Sequence, residues 1–218
     1  MKKQNILWTT LLIVGGLLFF WLVLLKLILQ LKKGRGEPCP TSWSWIVDNP
    51  LRRWDVRHAL DRAGLRAGET VLELGPGPGA FTVDAARQVG PTGRLIAVDI
   101  QPGMIAQVEA RVKAAGITNV ETHVASAYEL PLPDASVDRA YLITVLPEVP
   151  DPVRALREIR RVLKPGGVVS MTEEFLDPDY PRRATTTAWA QAVGLEAAGS
   201  YGNGWCYTLN FRKPALSV

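Results

Sequence analysis

The chain predicts an α/β fold: a Rossmann-like, mostly parallel sheet with helices on both faces, preceded by one transmembrane helix. Three observations predict it. Thr70-Val71-Leu72-Glu73-Leu74-Gly75-Pro76-Gly77-Pro78-Gly79 reads as a doubly covered strand breaking into a glycine turn. Short apolar strands and helical segments then alternate, which implies parallel pairing with right-handed crossovers. Ahead of them, Ile6 to Leu25 is twenty residues without a charge, about what a ~30 Å hydrocarbon core requires.

Residues 1–33 are therefore expected to be a membrane anchor. Lys2 and Lys3 precede the apolar run, and Lys26, Lys32, Lys33 and Arg35 follow it. A cleaved signal peptide would have a shorter apolar region and a small-residue cleavage site, and Gln30-Leu31-Lys32-Lys33-Gly34 is a poor one. The cations favour a single-pass protein with its C-terminal domain in the cytoplasm. Residues 1–57 hold nine Lys/Arg against three Asp/Glu, and the remainder 16 against 18. The basic excess thus sits beside the expected membrane, where anionic headgroups attract it. The folded domain has no basic footprint for nucleic acid. Cys39 and Cys206, the two cysteines, make neither a disulfide framework nor a zinc spacing.

Residues 34–42 are rich in Gly and Pro and read as a linker. Trp43-Ser44-Trp45-Ile46-Val47 and Leu51-Arg52-Arg53-Trp54 follow. They fit an interfacial belt and equally an N-terminal helix packed on the domain. The linker and this segment together span 34–54, and the domain proper 55–218.

Within that domain Arg57 to Ala63 reads as a helix ended by Gly64. Val71–Leu74 is the first strand, and Ala80–Val89 a helix closed by Gly90-Pro91. Arg94–Val98 is the second strand, ending at Asp99. Met104–Ala115 is a helix with Gly116 as its C-cap. Val120–Val124 and Val137–Ile143 are the third and fourth strands. Pro152–Leu163 is a helix, and Pro165-Gly166-Gly167 turns the chain into a fifth strand, Val168–Thr172. Thr185–Ala192 is helical, and Leu195–Phe211 alternates as a hairpin around Gly199, Gly202 and Gly204.

Gly75-Pro76-Gly77-Pro78-Gly79-Ala80 satisfies G-x-G-x-x-G/A, a weak dinucleotide signal when alone. The glycines permit positive φ and remove side chains that would block a ligand. A helix starting after them would aim N–H groups at it. Asp99 lies 20 residues after Gly79, where a carboxylate meets the hydroxyls of a ribose. An adenosine-containing cofactor follows, and Glu73 bears on which one.

Four blocks decide between cofactors: Val71 to Gly79; Ala97-Val98-Asp99-Ile100; Glu129-Leu130-Pro131-Leu132-Pro133-Asp134-Ala135-Ser136-Val137-Asp138; and Leu156 to Gly167. In this order they make residues 55–175 resemble the class I S-adenosylmethionine-dependent methyltransferases, near the small-molecule "type 11" group. The resemblance implies a seven-stranded sheet whose last strand is antiparallel, which the hairpin fits. It implies S-adenosylmethionine as cofactor, with Glu73, Gly75, Gly77 and Gly79 toward the methionine part, Asp99 and Ile100 toward the ribose, and Ser126 and Ala127 toward the adenine. Ser126 departs from the pattern, since relatives carry Asp there. Its hydroxyl still offers one acceptor in place of a carboxylate.

The resemblance also implies methyl transfer to a small-molecule acceptor, and the expected anchor, by holding the pocket near the bilayer, extends this to a lipid-like acceptor at the membrane surface. A sulfonium donor is already activated, so the protein aligns the reactants and excludes water. The acceptor enters past the fourth and fifth strands, where Tyr141, Thr144, Glu148, Glu173 and Glu174 are candidates. Glu148, Glu173 and Tyr141 are the catalytic candidates. Alternation along a strand lets one of Glu173 and Glu174 face the pocket and the other solvent. His58 and His123 read as ordinary surface or packing residues, and no Asp/His/Cys cluster has metal-ligand spacing. Two other functions remain open: a non-catalytic, membrane-tethered cofactor-binding scaffold, to which Ser126 lends its support, and a nicotinamide-dependent oxidoreductase, which shares the glycine loop.

Overall fold

A computed structural model describes residues 2–33 and 37–215, less the side chains of 2–7, 18, 22, 25, 26, 29–33 and 46. The chain begins with α1 (Lys2–Lys33). Counted over its described residues, no helix is long and apolar enough to cross a membrane. The expected transmembrane helix is to that extent not found, although the segment does form one unbroken helix. The flanking cations Lys2, Lys3, Lys26, Lys32, Lys33 and Arg35 lie outside the described side chains.

The domain is one seven-stranded sheet. Its strands are β1 (Thr70–Leu74), β2 (Arg94–Asp99), β3 (Val120–Val124), β4 (Val137–Ile143), β5 (Leu163–Glu174), β6 (Glu196–Gly202) and β7 (Cys206–Arg212). Their spatial order is β3-β2-β1-β4-β5-β7-β6. Only β7 runs against the others, pairing antiparallel with both β5 and β6. Strand order reverses between β1 and β4, where α/β sheets form a crevice at the carboxyl ends.

The helices are α2 (Ser44–Val47), α3 (Pro50–Asp55), α4 (Ala59–Ala63), α5 (Thr82–Val89), α6 (Pro102–Ala114), α7 (Pro152–Val162) and α8 (Arg183–Ala192). They cover both faces of the sheet. Val71, Leu72, Leu95, Ile96, Ala97 and Val98 are all completely buried, as strands covered on both sides must be. α7 presents Ala155, Leu156, Ile159 and Val162 to the core, the spacing of a helix stripe. Asp151 caps it, accepting from the N–H of Arg154 at 2.9 Å.

Several boundaries differ from the sequence expectation, among them the start of α4 at Ala59 rather than Arg57 and of α8 at Arg183 rather than Thr185. The helix after the glycine turn starts at Thr82, not Ala80, because Gly77 (φ 54°) and Gly79 (φ 83°) hold the intervening turn in left-handed backbone. α6 starts earlier, at Pro102, and Gly116 stands one residue beyond its cap, Ala115. β5 already begins at Leu163. Its register against β4 shifts between Val137 and Arg139, so Pro165-Gly166-Gly167 is a bulge within the strand. A Cβ on Gly167 would stand 2.8 Å from the Lys164 carbonyl and 3.0 Å from that of Asp138.

Two of the four sequence blocks turn out to hold each other. Arg161 of α7 donates to the carbonyls of Leu130 and Leu132 and pairs with Asp134 and Glu158. Glu158 in turn accepts from the Leu130 N–H at 2.9 Å. The Leu-Pro-Leu-Pro-Asp loop is thus tied to the helix leading into β5. Arg161→Ala should cost roughly 1–3 kcal/mol by leaving these carbonyls and Glu158 without their charged partner. Urea unfolding measures it, and a change within error would remove the network from the stability of the domain.

Candidate active site

A cavity of ≈ 440 Å³ opens at the carboxyl ends of the central strands, within the range of small-molecule sites. One half lies over β1, β2 and β3. Gly75, Gly77, Asp99, Ile100, Ser126 and Ala127 line it. The other half lies past β4 and β5, where Thr144, Glu148, Glu174 and Leu176 do so. The roof is the N-terminal segment, which contributes Trp43, Val47, Leu51, Arg52 and Asp55.

The glycines differ in what requires them. A Cβ on Gly75 (φ 68°) would lie 2.5 Å from Val145 Cγ2, and one on Gly77 (φ 54°) 3.4 Å from Val47 Cγ1. These two keep the cavity floor bare. Gly79 does not line the cavity. Its missing side chain would meet Val108 of α6 at 3.4 Å, so it lets α6 pack closely rather than opening the backbone to a ligand.

Asp99 is 7% exposed. Its Oδ1 accepts the Gln101 N–H at 2.9 Å, and the N–H groups of Gly77 and Ile100 also face it. Burial nonetheless holds its carboxyl above the usual range. Ile100, 56% exposed, is an apolar side chain set on the cavity wall. The Ser126 hydroxyl accepts the Tyr128 N–H at 3.2 Å. A turn therefore already uses part of its capacity.

Glu73 is 3% exposed and stands behind the main cavity. With Tyr141, Gly75, Arg52 and Val47 it lines a small void of ≈ 20 Å³ next door. Its Oε2 has no hydrogen-bond partner. Burial pushes its pKa to about 7, with the Asp99 carboxylate adding to the shift and the nearby Thr82 and Tyr141 hydroxyls opposing it. In the folded state Glu73 thus keeps a proton that the unfolded chain releases near 4.5. Stability should therefore be greatest below that ordinary value and fall as the pH rises toward about 7, by at most about 3 kcal/mol. Unfolding titrations across that window check this, and Glu73→Gln should flatten the profile.

The catalytic candidates separate. Glu148 lines the cavity and accepts the Cys39 N–H at 3.3 Å. Tyr141 does not reach the main cavity; it is 2% exposed, packed in the sheet beside Glu73. Glu173 does not line it either. It is fully buried, and neither carboxylate oxygen has a partner. The expectation that one of Glu173 and Glu174 faces solvent is wrong: β7 covers this end of β5, pairing Tyr207 and Cys206 opposite them. Both are buried, and it is Glu174 that meets the cavity. His58 is half exposed beside Asp61, and His123 bonds Glu121 at 2.6 Å. Among the described residues no His/Cys/Asp/Glu group could hold a metal ion.

The N-terminal segment supplies what the sequence reading missed. Asn49 caps α3, accepting from Leu51 and Arg52 N–H, and Pro50 is at its first turn. Arg52 then reaches inward. It donates to Glu174, to the Thr144 hydroxyl and to the Val47 carbonyl. Thr144 itself sits at φ 54°, rare for a threonine and a mark of a constrained site. Farther along the roof, Gln101 donates to the Cys39 carbonyl and accepts from the Thr41 hydroxyl, both at 2.9 Å. Asp48 pairs with Arg111 of α6. In the sequence Arg52 and Arg53 fit an interfacial belt and a packed helix equally; the available signal for α3 was Asn49-Pro50 with Arg52 and Asp55 one turn apart. The segment also leaves Trp45 and Trp54 largely exposed, so its tryptophans divide between Trp43 at the cavity and these two outside.

Residues 72–171 match the family described as "methyltransferase domain". A 37.1 kDa protein of transposon TN4556 from Streptomyces fradiae is 39% identical over 137 residues, 62% of this chain and 39% of that protein. The ubiquinone/menaquinone biosynthesis C-methyltransferase UbiE of Enterobacter sp. (strain 638) is 37% identical over 131 residues, 58% of this chain and 52% of that protein. The chain thus spans about half, or less, of the length of these curated relatives. A SAM-dependent methyltransferase from Aquifex aeolicus superposes with a TM-score of 0.74 at 23% identity, over 80% of this chain and 99% of the other. At that identity it shares the fold.

Proposed function

We propose that this chain, which carries a methyltransferase domain and takes S-adenosylmethionine as its cofactor, transfers the methyl group to an apolar, ring-bearing small molecule at a membrane surface. The observation that carries the reading is the divided cavity. One half has the bare glycine floor, Asp99 and the apolar wall of Ile100; the other is lined by Val149 and Leu176, under a roof that includes Trp43 and Leu51.

The residues fit the cofactor. Gly75 and Gly77 leave the backbone open, Asp99 offers a carboxylate to the ribose hydroxyls, and Ala127 N–H with the Ser126 side chain would meet the adenine. Glu73, with its unpartnered Oε2, would offer an acceptor oxygen beneath the methionine part. When bound, S-adenosylmethionine supplies a methyl group already activated on a positive sulfur. The chain then has to position the acceptor, exclude water and manage any proton the acceptor loses. The roof, tied down through Gln101, Glu148 and Asp48, serves the exclusion.

The curated C-methyltransferase relatives act in ubiquinone and menaquinone biosynthesis by name, which supports a quinol-like acceptor. The test is incubation with radiolabelled S-adenosylmethionine and a reduced, short-chain prenyl naphthoquinol. Label in the extracted quinol supports the reading. Label that never leaves the cofactor, with the cofactor shown to bind, would favour the scaffold instead.

The membrane location rests on the uncharged run Ile6–Leu25 inside a 32-residue helix, ~48 Å long at 1.5 Å per residue. It implies a single span with the catalytic domain on the cytoplasmic side. Deleting residues 1–33 should release the protein from membranes while leaving cofactor affinity unchanged. Vesicle sedimentation and calorimetry report the two, and a truncated protein still wholly pelleting would shift the attachment to Trp45 and Trp54.

A further inference from the structure

The acceptor half of the cavity holds a polar group that no sequence motif marked. Arg52 and Asp55 hang from α3 one turn apart, and Glu174 stands at the end of β5 beneath them; all three line the cavity. Arg52 is locked. Three of its donor contacts go to Glu174, Thr144 and the Val47 carbonyl, and a guanidinium has five N–H groups in all. Asp55 lies against Glu174 and the Trp205 indole. Its Oδ2 is buried and has no hydrogen-bond partner. Among the described residues it is the one cavity-lining carboxylate with such an atom. A buried acceptor oxygen left over inside a ligand cavity calls for a donor on the ligand.

We propose that Asp55 and Glu174, the latter held by Arg52, receive a hydroxyl group on an aromatic acceptor: Asp55 takes the hydroxyl proton, and Arg52 holds the oxyanion. The inference rests on the methyl-transfer reading and specifies its acceptor as a phenol or hydroquinone. The O–H bond breaks with its electron pair left on oxygen and its proton on Asp55. That pair, at oxygen or at the conjugated ring carbon, forms the new bond to the methyl group as the methyl–sulfur pair stays with sulfur. After transfer to oxygen, Asp55 gives its proton to water. After transfer to carbon, Asp55 returns it to the oxygen and the ring C–H proton goes to water. Either way one proton is released and no oxidant is consumed.

The surroundings suit this role. Burial raises the carboxyls of both Asp55 and Glu174, as a base operating near neutrality needs. The other charged or titratable groups acting on the pair are Arg57, Glu173, Asp177 and Cys206, with Arg62 acting on Cys206. The remaining candidates are worse placed: Glu148 is engaged with the roof at Cys39 N–H, and Glu173 and Tyr141 do not line the cavity.

The test uses the full chain, 2-naphthol and its hydroxyl-less twin, 2-methoxynaphthalene. Calorimetry first establishes S-adenosylmethionine binding in the wild type, Asp55→Asn and Arg52→Lys. Absence of binding in the wild type would fell the methyl-transfer reading and this proposal with it. With the cofactor product bound, the wild type should prefer 2-naphthol about tenfold, and Asp55→Asn should lose that preference. Transfer of label to 2-naphthol should fall about a hundredfold in Asp55→Asn and recover as the pH approaches the naphthol's own ionisation. Arg52→Lys should lose rate without that recovery. Equal binding of the two probes by the wild type, no transfer to 2-naphthol with the cofactor bound, or a loss in Asp55→Asn that pH does not restore would each overturn the proposal. Should Asp55→Asn fail to fold, Glu174→Gln carries the same arms with the same expected losses.

Discussion

Replacing Asp99 with Ala is expected to weaken S-adenosylmethionine binding by about 1.5–3 kcal/mol, the range for hydrogen bonds to a charged group, or roughly ten- to a hundredfold and somewhat beyond. The expectation follows from placement. Asp99 ends β2, its Oδ1 is fixed by the Gln101 N–H, and its carboxylate borders the cavity. Folding should not suffer in step. Burial already holds this carboxyl above the usual range, so removing it relieves a desolvation cost and leaves thermal stability unchanged or slightly higher. Loss of affinity with retained stability is therefore the signature of a ligand-holding acid. Titration calorimetry beside a melting curve separates the two, and unchanged affinity would take Asp99 out of the cofactor's reach. Asp99→Asn, which keeps an oxygen for Gln101 but no charge, should fall between.

Gly75→Ala is expected to produce the second large effect, roughly 2–4 kcal/mol from two sources. An alanine at φ 68° costs about 1–2 kcal/mol in left-handed backbone. Its Cβ would also stand 2.5 and 2.7 Å from the two γ-methyls of Val145, and forcing a packed side chain aside costs typically 1–3 kcal/mol. Val145 lines the cavity, so its displacement should also reduce cofactor affinity. Gly77→Ala is the control. It meets Val47 Cγ1 at 3.4 Å, an ordinary contact, and should carry the backbone strain alone. If urea unfolding found Gly77→Ala the more damaging, the packing of Val145 against the glycine turn would be the wrong account.

The two experiments probe the part of the site that the sequence displays. The strand-turn pattern of residues 70–79 and the acid 20 residues on are local features, because a phosphate- or adenosine-sized ligand at a strand end needs bare backbone and a carboxylate at a fixed distance along one βαβ unit. The central parallel strands were readable for a related reason. A strand buried on both faces is largely apolar: Leu95–Val98 is wholly so, Val71–Leu74 is broken only by Glu73, and Val137–Ile143 only by Asp138, Arg139 and Tyr141. The ends of elements were less readable. Pro165-Gly166-Gly167 looks like a turn in the sequence, yet the strand runs through it, since the backbone carbonyls of Lys164 and Asp138 crowd the place where a side chain would go.

The acceptor half was mostly hidden. Tyr141, Glu148 and Glu173 were legible as polar residues near strand ends, but proximity in sequence does not say which face a side chain takes once a neighbouring strand is added. β7 inserts beside β5 and seals Glu173 in, while Glu174 goes to the cavity. Arg52 and Asp55 were illegible for a different reason. They lie 122 and 119 residues before Glu174 along the chain, and nothing local in Arg52-Arg53-Trp54-Asp55 distinguishes a strut over a cavity from a cationic surface patch.

By itself, then, the amino-acid order determined the α/β class, the glycine turn and the acid that ends the second strand, because each depends on hydrophobic period and backbone freedom within a single strand–turn–helix unit. The tertiary structure alone decided what roofs that cleft, which carboxylates face it and where a proton could go. Those depend on segments far apart in the chain meeting at one sheet edge, and on burial that raises the cost of charge only after they have met.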